Sequence, residues 1–489
     1  MFAKLREAIL FRKHRKTTDL HQTPTLPQEI IDLIIDEVAS QISSKALQPY
    51  SLISKAFHAS CRRHLFSEIE ISLDGLSHLR SQNLINVFKN PHNVDLISTV
   101  RSLRIVFPPP KYRSKWDIFR LSKWRRILYT RGRRGNSFLN VLNLLLQAPL
   151  TTFTLHARRG SPVNLWRTVD DRTMEAFRSF CTKPSLHFLR LSNLYFLDET
   201  LVTEAIRVNT LLGLSLDNVS LGWDDDVGRD NDELTHNPNL APVISRIEKL
   251  DVRSLSSLEL FRIFGRAQSV SRPFVALPRL HSFTFSAMCA EFEMQKIWAF
   301  IVESAGTLQT LEIEDLSWTG EVDHLHLRLP ANKIVGIINL HQLTALRSLK
   351  IVAQTDSDLD LYLEKEAICH LLSPATPSLP LRIQSLTIEI SMEMSIDSDP
   401  RGPCLIPPWL ELDDLPMLGA FVDLHHLNLD YQLFYYSTEP QPPGNWKSEG
   451  DADRERILPD VYAHPSIEFQ LNTRTICTPH CMQEYFRSQ

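Results

Sequence analysis

One hydrophobic pattern recurs along most of this chain: apolar, two residues, apolar, one residue, apolar. It appears as Val100-Leu103-Ile105, Leu150-Phe153-Leu155, Leu186-Leu189-Leu191, Leu211-Leu214-Leu216 and Ile247-Leu250-Val252. It continues as Leu280-Phe283-Phe285, Leu308-Leu311-Ile313, Leu346-Leu349-Ile351, Ile383-Leu386-Ile388 and Leu424-Leu427-Leu429. Inside the final apolar pair of each unit sits a polar residue: Arg104, Thr154, Arg190, Ser215, Asp251, Thr284, Glu312, Lys350, Thr387 and Asn428. Strict alternation predicts a strand with one buried and one wet face. Several stretches between units have helical spacing. Asp198–Arg207 turns Leu201, Ala205 and Ile206 inward, Glu291–Glu303 does so with Phe292, Ile297 and Ile301, and Asp360–Leu372 with Leu361, Ala367, Ile368 and Leu371. Strand–helix units that bury their faces against their neighbours stack into a curved solenoid. The alternative is an ordinary α/β domain with a parallel sheet.

The strand segments resemble those of leucine-rich repeats, L-x-x-L-x-L, over roughly residues 98–432. Most units here are longer than that family's usual period of about 20–29 residues. The Asn that the family carries just after the strand is mostly absent, with Leu194, Val219, Leu255 and Leu316 near that place. The resemblance implies an irregular α/β horseshoe whose turns satisfy their backbone without an asparagine ladder.

The N-terminal segment differs. In TLPQEIIDLIIDEVA, residues 25–39, Thr25 and Gln28 fit a capping box and Pro27 a first turn. Ile30, Ile34 and Val38 line one face of the predicted helix and Ile31 and Ile35 an adjacent one, while Asp32, Asp36 and Glu37 stay wet. One apolar face packs internally and the other needs a partner. Leu52, Ile53, Ala56 and Phe57 define a second helical face, beginning only after Pro49, and His64-Leu65-Phe66 follows.

The blocks LPQEI, SLISKAF and HLF, in that order, resemble the F-box, most closely the F-box-like domain of fungal repeat proteins, over about residues 24–70. Phe57 stands where the family usually has Trp. The bland alternative is a helical cap on the repeats. The resemblance implies a non-catalytic target-recognition subunit of an SCF-type cullin–RING ubiquitin ligase. It would join a Skp-type adaptor and cullin scaffold to a protein target of unknown identity. Leu26, Pro27, Glu29, Ile30, Ile34, Leu52, Ile53 and Phe57 form its adaptor-facing or module-forming set. Target contacts would use the charged wet-face positions Arg104, Arg190, Asp251, Glu312 and Lys350, unless these are simply solvated. The division expected is a flexible basic segment 1–23, the F-box-like module 24–70, repeats 71–432 and a partly flexible C-terminal tail 433–489. The competing function is a repeat scaffold that binds protein or nucleic acid with no ligase role.

Charge and composition narrow the field. The chain has 489 residues, 43% apolar, with a formal net charge of −4. Two basic islands, residues 1–17 and 111–134, carry balances of +5 and +9, so the remainder is acidic. The second interleaves Tyr112, Trp116, Phe119, Trp124 and Tyr129, a combination able to bind nucleic acid but read here as a basic solvated insertion. Residues 223–233 form an acidic loop without EF-hand spacing. Seven scattered cysteines and the lack of a signal peptide or a spanning stretch point to reduced thiols in cytoplasm or nucleus. Cys477, His480 and Cys481 lack a fourth metal ligand, and His324 with His326 offers only a pair. No nucleotide-binding, zinc-protease or hydrolase motif is found, so no cofactor, metal or catalytic residue is expected.

Overall fold

A computed structural model describes residues 26–42, 44–73, 77–93, 95–107, 135–157, 163–164, 169–221, 243–253, 260, 263–264, 275–286, 291–314, 337–355, 368, 371–372, 381–395, 423–437 and 467–479. The basic segment 111–134, the acidic loop 223–233, His324, His326, His480, Cys481 and most of the helix expected over 360–372 lie outside these residues. The chain divides into two units, the boundary falling after Glu68.

The first unit is helical: α1 (Gln28–Gln41), a 3-10 turn (Ser44–Leu47), α2 (Gln48–Ser51) and α3 (Lys55–Leu65). Ile31 and Ile35 of α1 and Cys61 of α3 form its core, with Tyr50, Ala56, Phe57 and Leu65 packed around them. Thr25 of the expected capping box lies outside the described residues; Pro27 is the N-cap residue, and the Gln28 amide donates to Asp32 and to Ser60 Oγ. Two local expectations fail. Pro49 lies inside the first turn of α2 instead of before a helix, a position whose N–H has no helical acceptor anyway. Leu52, Ile53, Ala56 and Phe57 do not share one helix, because Ser54 interrupts them and caps α3 by accepting the Phe57 N–H at 3.3 Å.

The second unit is α/β. Its strands are β1 (Glu68–Ser72), β2 (Ser102–Phe107), β3 (Thr152–Ala157), β4 (Val163–Asn164), β5 (Phe188–Leu197), β6 (Gly213–Leu221), β7 (Val243–Ile244) and β8 (Lys249–Arg253). They continue with β9 (Val275–Ala276), β10 (Ser282–Ser286), β11 (Thr310–Glu314), β12 (Ser348–Thr355), β13 (Ser385–Ser395), β14 (His426–Ser437) and β15 (Glu468–Pro479). Among the described residues, six helices stand between them: α4 (Ser77–Lys89), α5 (Leu96–Thr99), α6 (Gly135–Leu145), α7 (Asp171–Cys181), α8 (Glu199–Arg207) and α9 (Glu291–Val302). One large sheet runs β1-β2-β3-β5-β6-β8-β10-β11-β12-β13-β14-β15, with β4 against β5 and a separate β7–β9 pair. Each strand from β2 onward in this path pairs parallel with the next.

All ten units found in the sequence are strands of this sheet, in one shared register. Leu103, Phe153, Leu189, Leu214, Leu250, Phe283, Leu311, Leu349, Leu386 and Leu427 align across it. All thirty apolar positions of the ten units are buried. Strand entry repeats a backbone fork: Arg101 O accepts from Thr151 and Thr152, Thr151 O from His187 and Phe188, and His187 O from Leu212 and Gly213. The same fork recurs through to Gln384 O, so the turns are paired by main chain rather than left to solvent. The inner face is covered by helices: Phe177 and Phe180 of α7 sit 6.1 and 5.1 Å from Phe153, and Phe300 of α9 sits 6.2 Å from Phe283. Leu201, Val202, Ala205 and Ile206 of α8 are buried, as are Ile297 and Ile301 of α9.

The expected lack of asparagines needs correction at two places. Asn193 and Asn218 lie one residue before Leu194 and Val219, at φ 56° and 50°. Asn193 is buried and donates to Ala157 O at 2.8 Å; Asn218 donates to Asn193 Oδ1 at 2.8 Å. Asn tolerates the left-handed backbone that breaks strand alternation here, and it brings its own hydrogen bonds. The sheet also extends beyond the ten units. Phe66, Ile69 and Ile71 repeat the pattern at β1, and β15 pairs with β14 within the stretch read as a tail.

Candidate protein-interaction surfaces

Two surfaces collect the residues singled out from sequence. The first belongs to the helical unit. With Ile31 and Ile35 turned inward, the opposite side of α1 keeps Leu26, Ile30 and Leu33 exposed at 54%, 41% and 65%, while Leu52 and Ile53 are exposed at 84% and 39%. Eight large apolar side chains are exposed among the described residues, and these five fall within residues 26–53, a density that calls for an explanation. Pro27 and Glu29 are also exposed, Ile34 is half-buried, and Phe57 packs against the core. The sequence reading leaves out Leu33, although its spacing of three from Ile30 places the two on one face of α1.

The polar side of α1 stays wet at Asp36 and Glu37 and half-buried at Asp32, and it also ties the helix to α3. Asp32 Oδ1 accepts from Ser60 Oγ and lies 2.9 Å from Arg63 Nη2, and Asp36 Oδ1 lies 2.7 Å from His64 Nε2. The hydrogen bonds from Ser60 and Gln28, helped by Arg63, hold the Asp32 carboxyl below its ordinary range. These pairs tie α1 to α3 and fix which side of α1 is turned away from the core. The core thiol Cys61 is pushed up by burial, as is Cys181 in α7, so neither is an activated nucleophile.

The second surface is the outer face of the large sheet. The ten polar positions align from Arg104 to Asn428, continued by Gln470. They are less wet than alternation suggests: Arg190 is exposed, Thr284 is buried and the others are intermediate, because in-register strands about 4.8 Å apart shield each other. Of the five charged positions predicted for target contact, Asp251, Glu312 and Lys350 belong to one stretch of this face. Lys350 Nζ lies 2.9 Å from Glu312 Oε1 and 2.9 Å from Glu389 Oε2, and Thr284 donates to Glu312. Arg253 bridges Asp251 at 2.9 Å and Glu314 at 3.2 Å, and Ser215 donates to Asp251. Arg104 stands apart, 3.8 Å from Glu70 on β1, and Arg190 is on β5.

Burial alone would lower the Lys350 ammonium, but its bonds to Glu389 and Glu312 outweigh this and hold it above its ordinary value. Arg253 is likewise raised, burial being outweighed by Asp251 and Glu314. Both cations therefore stay charged. The repeated pattern in the sequence marks one polar position per strand and so leaves out Arg253, Glu314, Glu389 and Asp430. Each lies two residues beyond it, and a period of two returns to the same face.

Among the described residues, no group of three or more His, Cys, Asp or Glu is arranged to hold a metal ion, and no helix is long and apolar enough to cross a membrane. No protein-family model and no curated protein matches this chain.

Proposed function

We propose that this chain is a target-recognition subunit of an SCF-type cullin–RING ubiquitin ligase. In this reading the first unit is a divergent F-box that docks a Skp-type adaptor. The second is a divergent leucine-rich-repeat solenoid whose outer strand face receives a target protein, in cytoplasm or nucleus. The chain contributes binding, and ubiquitin transfer belongs to other subunits.

The observation that carries the reading is the uncovered apolar side of α1 with Leu52 and Ile53. A unit with this few core residues has little apolar surface to spare, yet it leaves Leu26, Ile30 and Leu33 in water. Burying a Leu or Ile side chain stabilises by about 1.5–3 kcal/mol, so a partner seated there regains a substantial driving force. A mere cap for the repeats would need its outward surface polar.

The test is co-expression of the full chain with the host's Skp-type adaptor, wild type against an Ile30→Asp/Leu33→Asp double mutant. The expected result is a stable complex with wild type, lost in a mutant that keeps its circular dichroism spectrum, because two unpaired carboxylates would be buried at the contact. Well-folded protein that forms no complex in either form would leave a repeat scaffold without a ligase role.

A further inference from the structure

Between β6 and β14 the outer sheet face carries more carboxylates than cations. On β6–β14, its two central rows hold Asp217, Asp251, Glu312, Glu314, Glu389 and Asp430 against Arg253 and Lys350. Lys350 serves Glu312 and Glu389, and Arg253 serves Asp251 and Glu314. Asp430 is in register beside Glu389, and the residues before them, Leu429 and Ile388, are buried on the inner face, so both side chains lie on the outer side, Asp430 buried and Glu389 half-buried there. Asp430 is only 8% exposed, and its Oδ1 is out of water with no hydrogen-bond partner. A buried carboxylate oxygen left unpaired is costly, and the neighbouring Glu389 adds like-charge repulsion. A cation from outside would relieve both.

We propose that this face binds a basic segment of a partner protein, with one Lys or Arg side chain of that segment seated between Asp430 and Glu389. Adjacent strands set these two residues about 4.8 Å apart, a span that a planar guanidinium can bridge with donors to each carboxylate. A divalent cation fits less well, since it demands several oxygen ligands and no such cluster stands among the described residues. The inference rests on the outer face being the target surface and not on what the helical unit docks.

The test is fluorescence anisotropy of a labelled nona-arginine peptide with the full chain at about 150 mM salt, where screening limits diffuse attraction to about 8 Å. Saturable binding is expected, weakened about tenfold by Asp430→Asn and similarly by Glu389→Gln. Asp171→Asn on α7 makes the same charge change on an exposed helix and should leave the affinity unchanged. Asp430→Asn should also keep or raise the melting temperature, since it removes an uncompensated charge. The proposal is overturned if the peptide does not bind, if Asp171→Asn weakens it as much, or if Asp430→Asn lowers the melting temperature. Adaptor co-purification reports on the helical unit, so failure there and failure here are distinguishable.

Discussion

At the scale of single residues, side chains that break the strand pattern do more than those that keep it. Asn193 is the clearest case: it is buried, left-handed, bonded to Ala157 O and itself the acceptor for Asn218. Asn193→Ala removes two linked hydrogen bonds and adds a left-handed backbone penalty, and should destabilise the second unit by about 2–4 kcal/mol. Asn193→Gly, which tolerates that backbone, should recover part of the loss. Urea denaturation of the three proteins measures both, and equal losses for Ala and Gly would show that the backbone plays no part. The asparagines themselves were visible in the sequence. Their role was not, because a pattern of alternating positions cannot show where the backbone turns left-handed and moves the polar residue forward by one place.

At the scale of elements, most of the large sheet was legible. Apolar spacing placed ten strands and the polar residue of each, because burying one side of a parallel strand leaves little freedom of register. Three strands escaped, the two-residue β4 beside β5 and one at each end of the path. Ile69 and Ile71 of β1 were absorbed into the reading of the preceding helices, and β15 has Ser466 where every other unit opens with an apolar residue. The helical unit was less legible, since Ser54 divides what spacing alone presents as one helix. Helix junctions also carry a pH signature. Asp198 caps α8 by accepting the Thr200 N–H at 2.9 Å and binds Arg178 of α7 at 2.8 Å. Burial would raise its carboxyl, but Arg178 and Thr200 together hold it below the ordinary value. A depressed carboxyl stabilises fully above its unfolded value of about 3.9 and loses that contribution as pH falls through the folded one. Asp198→Asn should therefore cost about 1–3 kcal/mol near pH 7, and its gap from wild type should close in acid below about pH 3.9. Denaturant midpoints at both pH values give the comparison, and a gap that widens in acid would refute it.

At the scale of the whole molecule, two surfaces of opposite character suit two different partners. The helical unit offers uncovered leucine and isoleucine and the sheet an acidic face, and neither depends on the other for its chemistry. An apolar contact favours a tight, salt-insensitive adaptor interaction, whereas a charged face favours fast, salt-sensitive capture of a target. The most direct test of the account is hydrogen exchange of the full chain with and without purified Skp-type adaptor. The account predicts slowed exchange across residues 26–54, on α1 and the Leu52-Ile53 turn, with the amides of β8–β14 unchanged. Protection confined to the sheet, or no protection anywhere on a folded chain, would contradict it.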